Sequence, residues 1–396
     1  MGEVSFESET LQRKAGEMPR LAQRSRRLLG GAALDVPAGV AVADWLAISR
    51  YVAATGDDNP LYLDPVYGAG SWWRTQLAPP GFVLSIAVPE SVGALYEESV
   101  DAVECLDRVE LWWNDHIRLG DRVGARSHIV EAGPGEDADA DAGVEVVTEA
   151  DYRSEGRRIA RARGRVRIRP LRLGSQRLVE RDMHRYTPAQ IQRIEAGLAA
   201  EPAPRGGLPR FHGELAVGEA LPPTVRGPMT WSELQSWMVA EGRPAPAGNL
   251  RHRELLAQPG NVRAHAATDW AVCDRRQARE DLSACADVGF PAPSIRGSMA
   301  VALATQQVTA WMGDAAFLRQ ICVSLPAPVL YGDTLFLGGR VADKYVQRID
   351  GREFFAAALE LHARNQLDET VMRATAIVFL PERGRPLQLP IEAEMF

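Results

Sequence analysis

The stretch DWLAISRYVAATGDDNPLYLDPVYGAG, residues 44–70, decides how the chain is read. Its first part places Trp45, Leu46, Ile48, Val52 and Ala53 at helical spacing and stops at Gly56. A loop, DDNPLYLDP, follows. After the punctuation Pro79-Pro80-Gly81 comes GFVLSIAV (81–88), apolar nearly all round. That composition predicts a buried helix, which Pro89 stops or kinks. The chain then turns strand-like through RVELWWN, LGDRVGARSHIVE, VEVVTEADYR and RIARARGRVRIR. In the last of these, Ala160, Ala162, Val166 and Ile168 alternate with Arg161, Arg163, Arg165, Arg167 and Arg169, the period of a half-buried strand. A buried helix followed by an antiparallel meander is an α+β unit.

The plan then repeats. A helix TPAQIQRIEAGLAAE, with Thr187 as N-cap and Pro188 at N1, runs into the breaker-rich EPAPRGGLP, which reads as a linker. Beyond it lie a capped helix TWSELQSWMVAEG (Thr230 as N-cap, Glu233 at N3), an irregular stretch, a buried helix SMAVALATQQVTAWMG and a second run of strands. RLGDRVGARSHIVE echoes LYGDTLFLGGRVAD, with Gly120 and Gly332 in register 212 residues apart (332 − 120). The expected organisation is an N-terminal leader (1–35), a first domain (36–175), a linker with helix (176–207) and a second domain (208–385).

With 396 residues the chain accommodates two domains. A formal net charge of −7 argues against a nucleic-acid binder, since phosphate neutralisation needs a basic excess. No run approaches 18 apolar residues, so no membrane span is expected. The polar start MGEVSFESETLQRKAGEMPR lacks the h-region of a signal peptide, and the cytoplasm is the expected compartment. Cys105, Cys273, Cys285 and Cys322 are far apart and read as reduced packing residues. P-loop, dinucleotide, zinc-protease and serine-hydrolase motifs are all missing. The acidic run around Asp137, Asp139 and Asp141 starts like a calcium loop, but Ala142 and Thr148 stand where Gly and Glu are required, so it reads as a solvated hairpin tip and no metal is expected.

ATGDDNPLYLDPVYGAG (54–70) followed by APPGF (78–82) resembles the hydratase signature of MaoC-like and FAS1-like dehydratases, the hydratase-2 type. The second half is similar to the same family in FHGELAVGEALPPTVRGPMT, VGFPAPSIRG and AWMGDAAFLRQICVSLPAPVLYGDTLFLGGRV. The resemblance covers about residues 40–175 and 208–382. It implies a double hotdog: two α+β domains, each a central helix wrapped by an antiparallel sheet. It further implies a lyase of the enoyl-thioester hydratase or 3-hydroxyacyl-thioester dehydratase type. The substrate's handle would be coenzyme A or a phosphopantetheine, the latter bringing an acyl carrier protein as partner, and no other cofactor is implied. Pairing of two chains through sheet edges stays open.

Such chemistry needs groups that handle water at C3 and a proton at C2, and donors for the thioester oxygen. By position, the family's Asp is Asp57 and its supporting Asn is Asn59, while Tyr62 holds the place of the family's His. A phenol is a poor proton shuttle at neutral pH. In the second half, NVRAHAATDW (261–270) offers His265 as the partner acid or base, with Ala267 where an acid is expected. The candidate catalytic residues are therefore Asp57, His265 and Tyr62. Asn59 and the helix starts at Gly81, Phe82, Gly297 and Ser298 are the candidates for binding the substrate and its carbonyl. Two other readings stay open because neither half holds a complete Asp/His pair. One is a diverged hotdog enzyme of secondary metabolism acting on a polyketide-like or cyclic substrate, and the other a non-catalytic acyl-binding or partner subunit. Plainer roles accompany these: Asx side chains cap turns, Tyr62 packs as a ring, His252 and His265 are ordinary histidines, and the Arg row is a solvated face. Alternatively that row attracts coenzyme A phosphates or an acidic carrier. One Trp of each pair, Trp72-Trp73 and Trp112-Trp113, should point inward.

Overall fold

The computed structural model describes residues 17–29, 31, 34–35, 39–89, 102–134, 143–170, 177–242, 248–250, 253, 262–264, 271–274, 279–282 and 284–392. His252, His265 and most of the calcium-like run (135–142) lie outside them.

Ten strands form one antiparallel sheet. The first half supplies β1 (Leu34–Asp35), β2 (Ala102–Trp113), β3 (Val123–Pro134), β4 (Val144–Ser154) and β5 (Arg157–Pro170). The second supplies β6 (Ala220–Arg226), β9 (Phe317–Ser324), β10 (Leu335–Ile349), β11 (Arg352–Arg364) and β12 (Thr370–Leu380), while β7 (Val262–Ala264) and β8 (Ala271–Asp274) pair separately. The order β1-β3-β4-β5-β2-β9-β12-β11-β10-β6 reads the same from either end: each half places its strands first, third, fourth, fifth, second. The halves join edge to edge, with Val109 opposite Val323 and Leu111 opposite Ile321. Strands that would otherwise be unpaired edges thus cover each other. The expected double hotdog is what the chain forms, and Gly120 and Gly332 occupy matching turns with φ of 91° and 82°.

Helix α1 (Glu17–Arg27) packs on β3 and β4 through buried Leu21, and β1 pairs with β3, so part of the expected leader belongs to the first half. Helix α2 (Trp45–Thr55) starts where the Asp44 carboxylate accepts from Ala47 N–H (2.7 Å) and stops at Gly56 in the left-handed region. It leads into short turns α3 (Pro60–Leu63) and α4 (Pro65–Gly70). The stretch 81–88 is buried as expected but helical only briefly: a 3-10 turn over Pro80–Phe82, then one α-turn, α5 (Val83–Ile86). Pro89 has no N–H to give the Ser85 carbonyl and forces Val88 out of the helical region, so the turn ends. The Ser85 carbonyl accepts instead from Val40 N–H (2.9 Å), and those of Ala87 and Pro89 from Tyr152 OH and Thr148 OH (2.6 Å each). A Cβ on Gly164 would sit 1.8 Å from the Pro89 carbonyl oxygen, so this crossing needs glycine.

Helix α6 (Pro188–Ala199) belongs to the linker and carries a Thr187/Gln190 capping box. Helix α7 (Trp231–Ala240), capped by Thr230 and Glu233, packs against α2. Helix α8 (Gly297–Met312) is buried along nearly its whole length and touches β2, β9, β12 and α2. One long helix therefore serves the core of both halves. On the outer face, Arg161, Arg165 and Arg167 meet Glu149, Glu145 and Asp107 at 2.7, 3.1 and 3.3 Å. The Arg row is a cross-strand ion-pair ladder. Trp113 is buried and Trp112 half-buried, while Trp72 is exposed and Trp73 turned inward. Among the described residues no helix is long and apolar enough to cross a membrane.

Candidate active site

Asp57 follows directly on the C-cap of α2. Its Oδ1 accepts the Asn59 N–H (3.0 Å), an Asx turn that fixes the loop, and Asn59 Oδ1 accepts from Leu61 N–H (2.9 Å) as the cap of α3. The Asn59 amide then donates across the halves to Asp314 Oδ1 (3.0 Å), just beyond α8. Asp314 also accepts from Tyr67 OH (2.7 Å), and its carbonyl from the Trp73 indole (2.6 Å). The first-half loop is thereby bolted to the end of the second half's central helix. Behind Trp73 lies His116, wedged edge-on between Trp73 (4.3 Å) and Phe317 (5.1 Å). Burial pushes its pKa down to about 3, so the ring is neutral.

Asp57 is buried, and loss of water raises its pKa to about 6; the Asn59 N–H pulls the other way, while Asp58 and Asp314 push up and Arg226 pulls down. This carboxyl sits in the wall of a cavity of about 460 Å3. Gln306, Gln307 and Trp311 of α8, Arg226 of β6 and Glu201 of the linker complete the wall. Arg226 is held by Glu201 at 2.8 Å. A carboxyl poised near neutrality in a cleft can both take and return a proton.

Tyr62 is buried with its hydroxyl bonded to Thr309 of α8, and burial together with Asp57 and Asp314 holds its pKa well above the phenol range. It is fixed as a neutral phenol. Gly81 comes to α8 one residue before Gln306: a Cβ there would lie 2.2 Å from Tyr51 OH and 2.7 Å from Thr305 Oγ1. Phe82 is buried edge-on to Tyr51 at 5.7 Å. Asp57, Asn59, Tyr62, Gly81 and Phe82 thus gather around the C-terminal half of α8. Gly297 and Ser298 lie at its other end, about 15 Å away from Gln307 at 1.5 Å rise per residue, and the structure does not bring them to Asp57. His265 lies outside the described residues.

The opening helices of the two halves, α2 and α7, are related residue by residue at an offset of 186. Asp44 and Thr230 are the matching caps, and Gly56 and Gly242 the matching stops, with φ of 65° and 74°. In that register Tyr51 answers to Trp237, and the two rings meet at 5.6 Å. Arg243 follows Gly242 where Asp57 follows Gly56. Around the second position, Glu241 is buried against Arg296 and Ser298, Trp237 Nε1 donates to Ser298 Oγ (3.1 Å), and Arg296 binds Glu280 at 2.9 Å. Arg243 itself lies outside the described residues, and beside Gly242 the structure places a buried ion-pair cluster whose Arg296 lines a separate cavity of about 190 Å3. Reading along the sequence missed Asp314, Gln307 and Arg226. The pair Gln306-Gln307 inside an otherwise apolar helix was the available signal. Among the described residues no cluster of His, Cys, Asp and Glu is placed to hold a metal ion.

Comparison with known proteins agrees with this picture. Residues 43–162, which contain the Asp57 loop, match the family described as FAS1-like, dehydratase domain region. No curated protein matches the chain in sequence. Among solved structures, one described as a MaoC-like dehydratase is 13% identical, with 89% of this chain and 99% of that one covered and a TM-score of 0.61. A putative MaoC domain protein dehydratase from Chloroflexus aurantiacus is 13% identical over 86% and 92% of the two chains, TM-score 0.52. A conserved hypothetical protein of Mycobacterium tuberculosis with a double hotdog fold is 14% identical over 88% and 95%, TM-score 0.50. At such identities the structures establish the double hotdog fold, and residues 43–162 are similar to the FAS1-like dehydratase region.

Proposed function

We propose that the chain is a hydro-lyase that adds water to, or removes it from, an acyl thioester, with Asp57 as its proton carrier. The observation that carries this reading is a buried carboxyl of pKa about 6, in the wall of a cavity, on the loop matched by the dehydratase family. In the hydration direction the oxygen of water bonds to C3 while Asp57 takes its proton. The C2–C3 π pair moves toward the carbonyl, and the same carboxyl returns a proton to C2, ending as it began. One carboxyl suffices for both transfers, which accommodates Tyr62 in place of a histidine. Coenzyme A or a carrier-bound phosphopantetheine is the handle.

The test is the ultraviolet absorbance of crotonyl-coenzyme A and trans-2-octenoyl-coenzyme A with purified protein. Turnover is expected to rise with pH through about 6, as Asp57 becomes ionised, and to be lost in Asp57→Asn. Unchanged absorbance with both thioesters, or undiminished turnover in Asp57→Asn, would refute the proposal.

A further inference from the structure

Gln307 is 4% exposed, and neither its Oε1 nor its Nε2 has a hydrogen-bond partner among the described residues. One turn further along α8, the indole Nε1 of Trp311 is likewise buried and without a partner. Spacing i, i+4 puts the two side chains on one face of the helix, and both line the cavity that holds Asp57. Their neighbours on the helix are satisfied: Thr305 and Thr309 give their hydroxyls to Ala302 and Gln306 carbonyls at 2.7 and 3.0 Å. An unpaired buried amide is costly, and native cores avoid one unless a function keeps it.

Trp311 is otherwise fixed. The Arg210 guanidinium lies over its ring at 4.5 Å and donates to its carbonyl (3.1 Å). What the wall presents is therefore three N–H donors on two groups, the Gln307 amide NH2 and the Trp311 indole, and one carbonyl acceptor, all neutral, on a rigid helix. A hydroxyl or water complements such a set, because it both accepts and donates; a carboxylate would repel the Gln307 carbonyl and a cation the N–H groups.

We propose that Gln307, assisted by the Trp311 indole, is a positioning residue that holds the oxygen transferred at C3 beside Asp57: the attacking water in hydration, the departing hydroxyl in dehydration. An amide has no titratable proton in this range, so it orients that oxygen and leaves proton transfer to Asp57. This inference rests on the hydro-lyase reading of the same site.

The experiment compares the full-length wild type with Gln307→Leu and Trp311→Phe, by crotonyl-coenzyme A and trans-2-octenoyl-coenzyme A turnover and by thermal melting without ligand. Expected are a fall of at least tenfold in kcat/KM for Gln307→Leu and a smaller one for Trp311→Phe, both mainly in kcat. The melting temperature of Gln307→Leu should equal or exceed that of the wild type, since no protein hydrogen bond is lost. Gln307→Glu, which keeps the side chain's length and one acceptor, should recover part of the loss and add a pH dependence. Wild-type turnover with Gln307→Leu within twofold of it would overturn the positioning role and leave the hydro-lyase reading standing. A melting temperature lowered by several degrees would also overturn it, by showing that the amide supports the fold. No turnover of either thioester by the wild type would end both readings.

Discussion

Replacing Asp57 by Asn should abolish turnover and at the same time stabilise the protein near neutral pH. The carboxyl has a folded-state pKa of about 6 against an ordinary 3.8, so between these values the folded state binds more protons than the unfolded one. Stability then falls as pH rises through that window. The shift of 2.2 units (6 − 3.8) at about 1.36 kcal/mol each amounts to roughly 3 kcal/mol of destabilisation above pH 6. Asparagine keeps the Oδ1 that accepts the Asn59 N–H and carries no charge to bury. At about 2.1 cal/mol/K per residue of unfolding entropy, 3 kcal/mol corresponds to a melting temperature raised by about 3–4 °C for a cooperative unit of this size. Melting curves of wild type and Asp57→Asn at pH 7.5 and pH 4 test it. The gain should be present in full at pH 7.5 and reduced to about 0.5 kcal/mol at pH 4, where the folded carboxyl is protonated and the unfolded one about two-fifths protonated. A variant no more stable than wild type at pH 7.5, or equally favoured at both pH values, would refute the claim that the loop buries its carboxylate at the expense of stability.

His116 should make the protein acid-sensitive in the opposite sense: with a folded pKa of about 3 against 6.5, the unfolded state alone gains a proton below pH 6.5. The loss is about 2 kcal/mol by pH 5, and urea unfolding of His116→Phe should lack this component of the pH slope, while an unchanged slope would count against a buried neutral ring. Gly81→Ala should destabilise by about 1–3 kcal/mol, because its Cβ would lie 2.2 Å from Tyr51 OH. Adding Tyr51→Phe removes that hydroxyl and should restore part of the loss in a double-mutant cycle; strictly additive effects would refute the contact.

The features legible in the sequence were those set by local chemistry. Helix α2 announces both ends, through the Asp44 cap and the Gly56 stop, and the alternation from Ala160 to Arg169 fixes which face of β5 is buried. Asp57 and Asn59 could be singled out because the GDDNP string resembles the dehydratase loop, and that string closes an Asx turn from its own residues. The reading reached less far where long-range packing decides. GFVLSIAV has the composition of a helix, yet Pro89 and the crossing over Gly164 allow it only two short turns. The helix that fills the centre beside Asp57 is then α8, contributed by the other half. The partner groups of Asp57 follow from that exchange: Asn59 reaches Asp314 across 255 residues, and Gln307 and Trp311 join the loop's cavity from the same helix. No periodicity within either half could have paired them. The repeat itself holds the remaining clue. At the offset of 186, Gly242 is followed by Arg243 where Gly56 is followed by Asp57, and Glu241 is spent on Arg296 and Ser298. A charge pair so buried is poor evidence for added stability and better evidence for a fixed arrangement. At the second position the Glu241, Arg296 and Ser298 cluster anchors the start of the helix whose far end walls the Asp57 site.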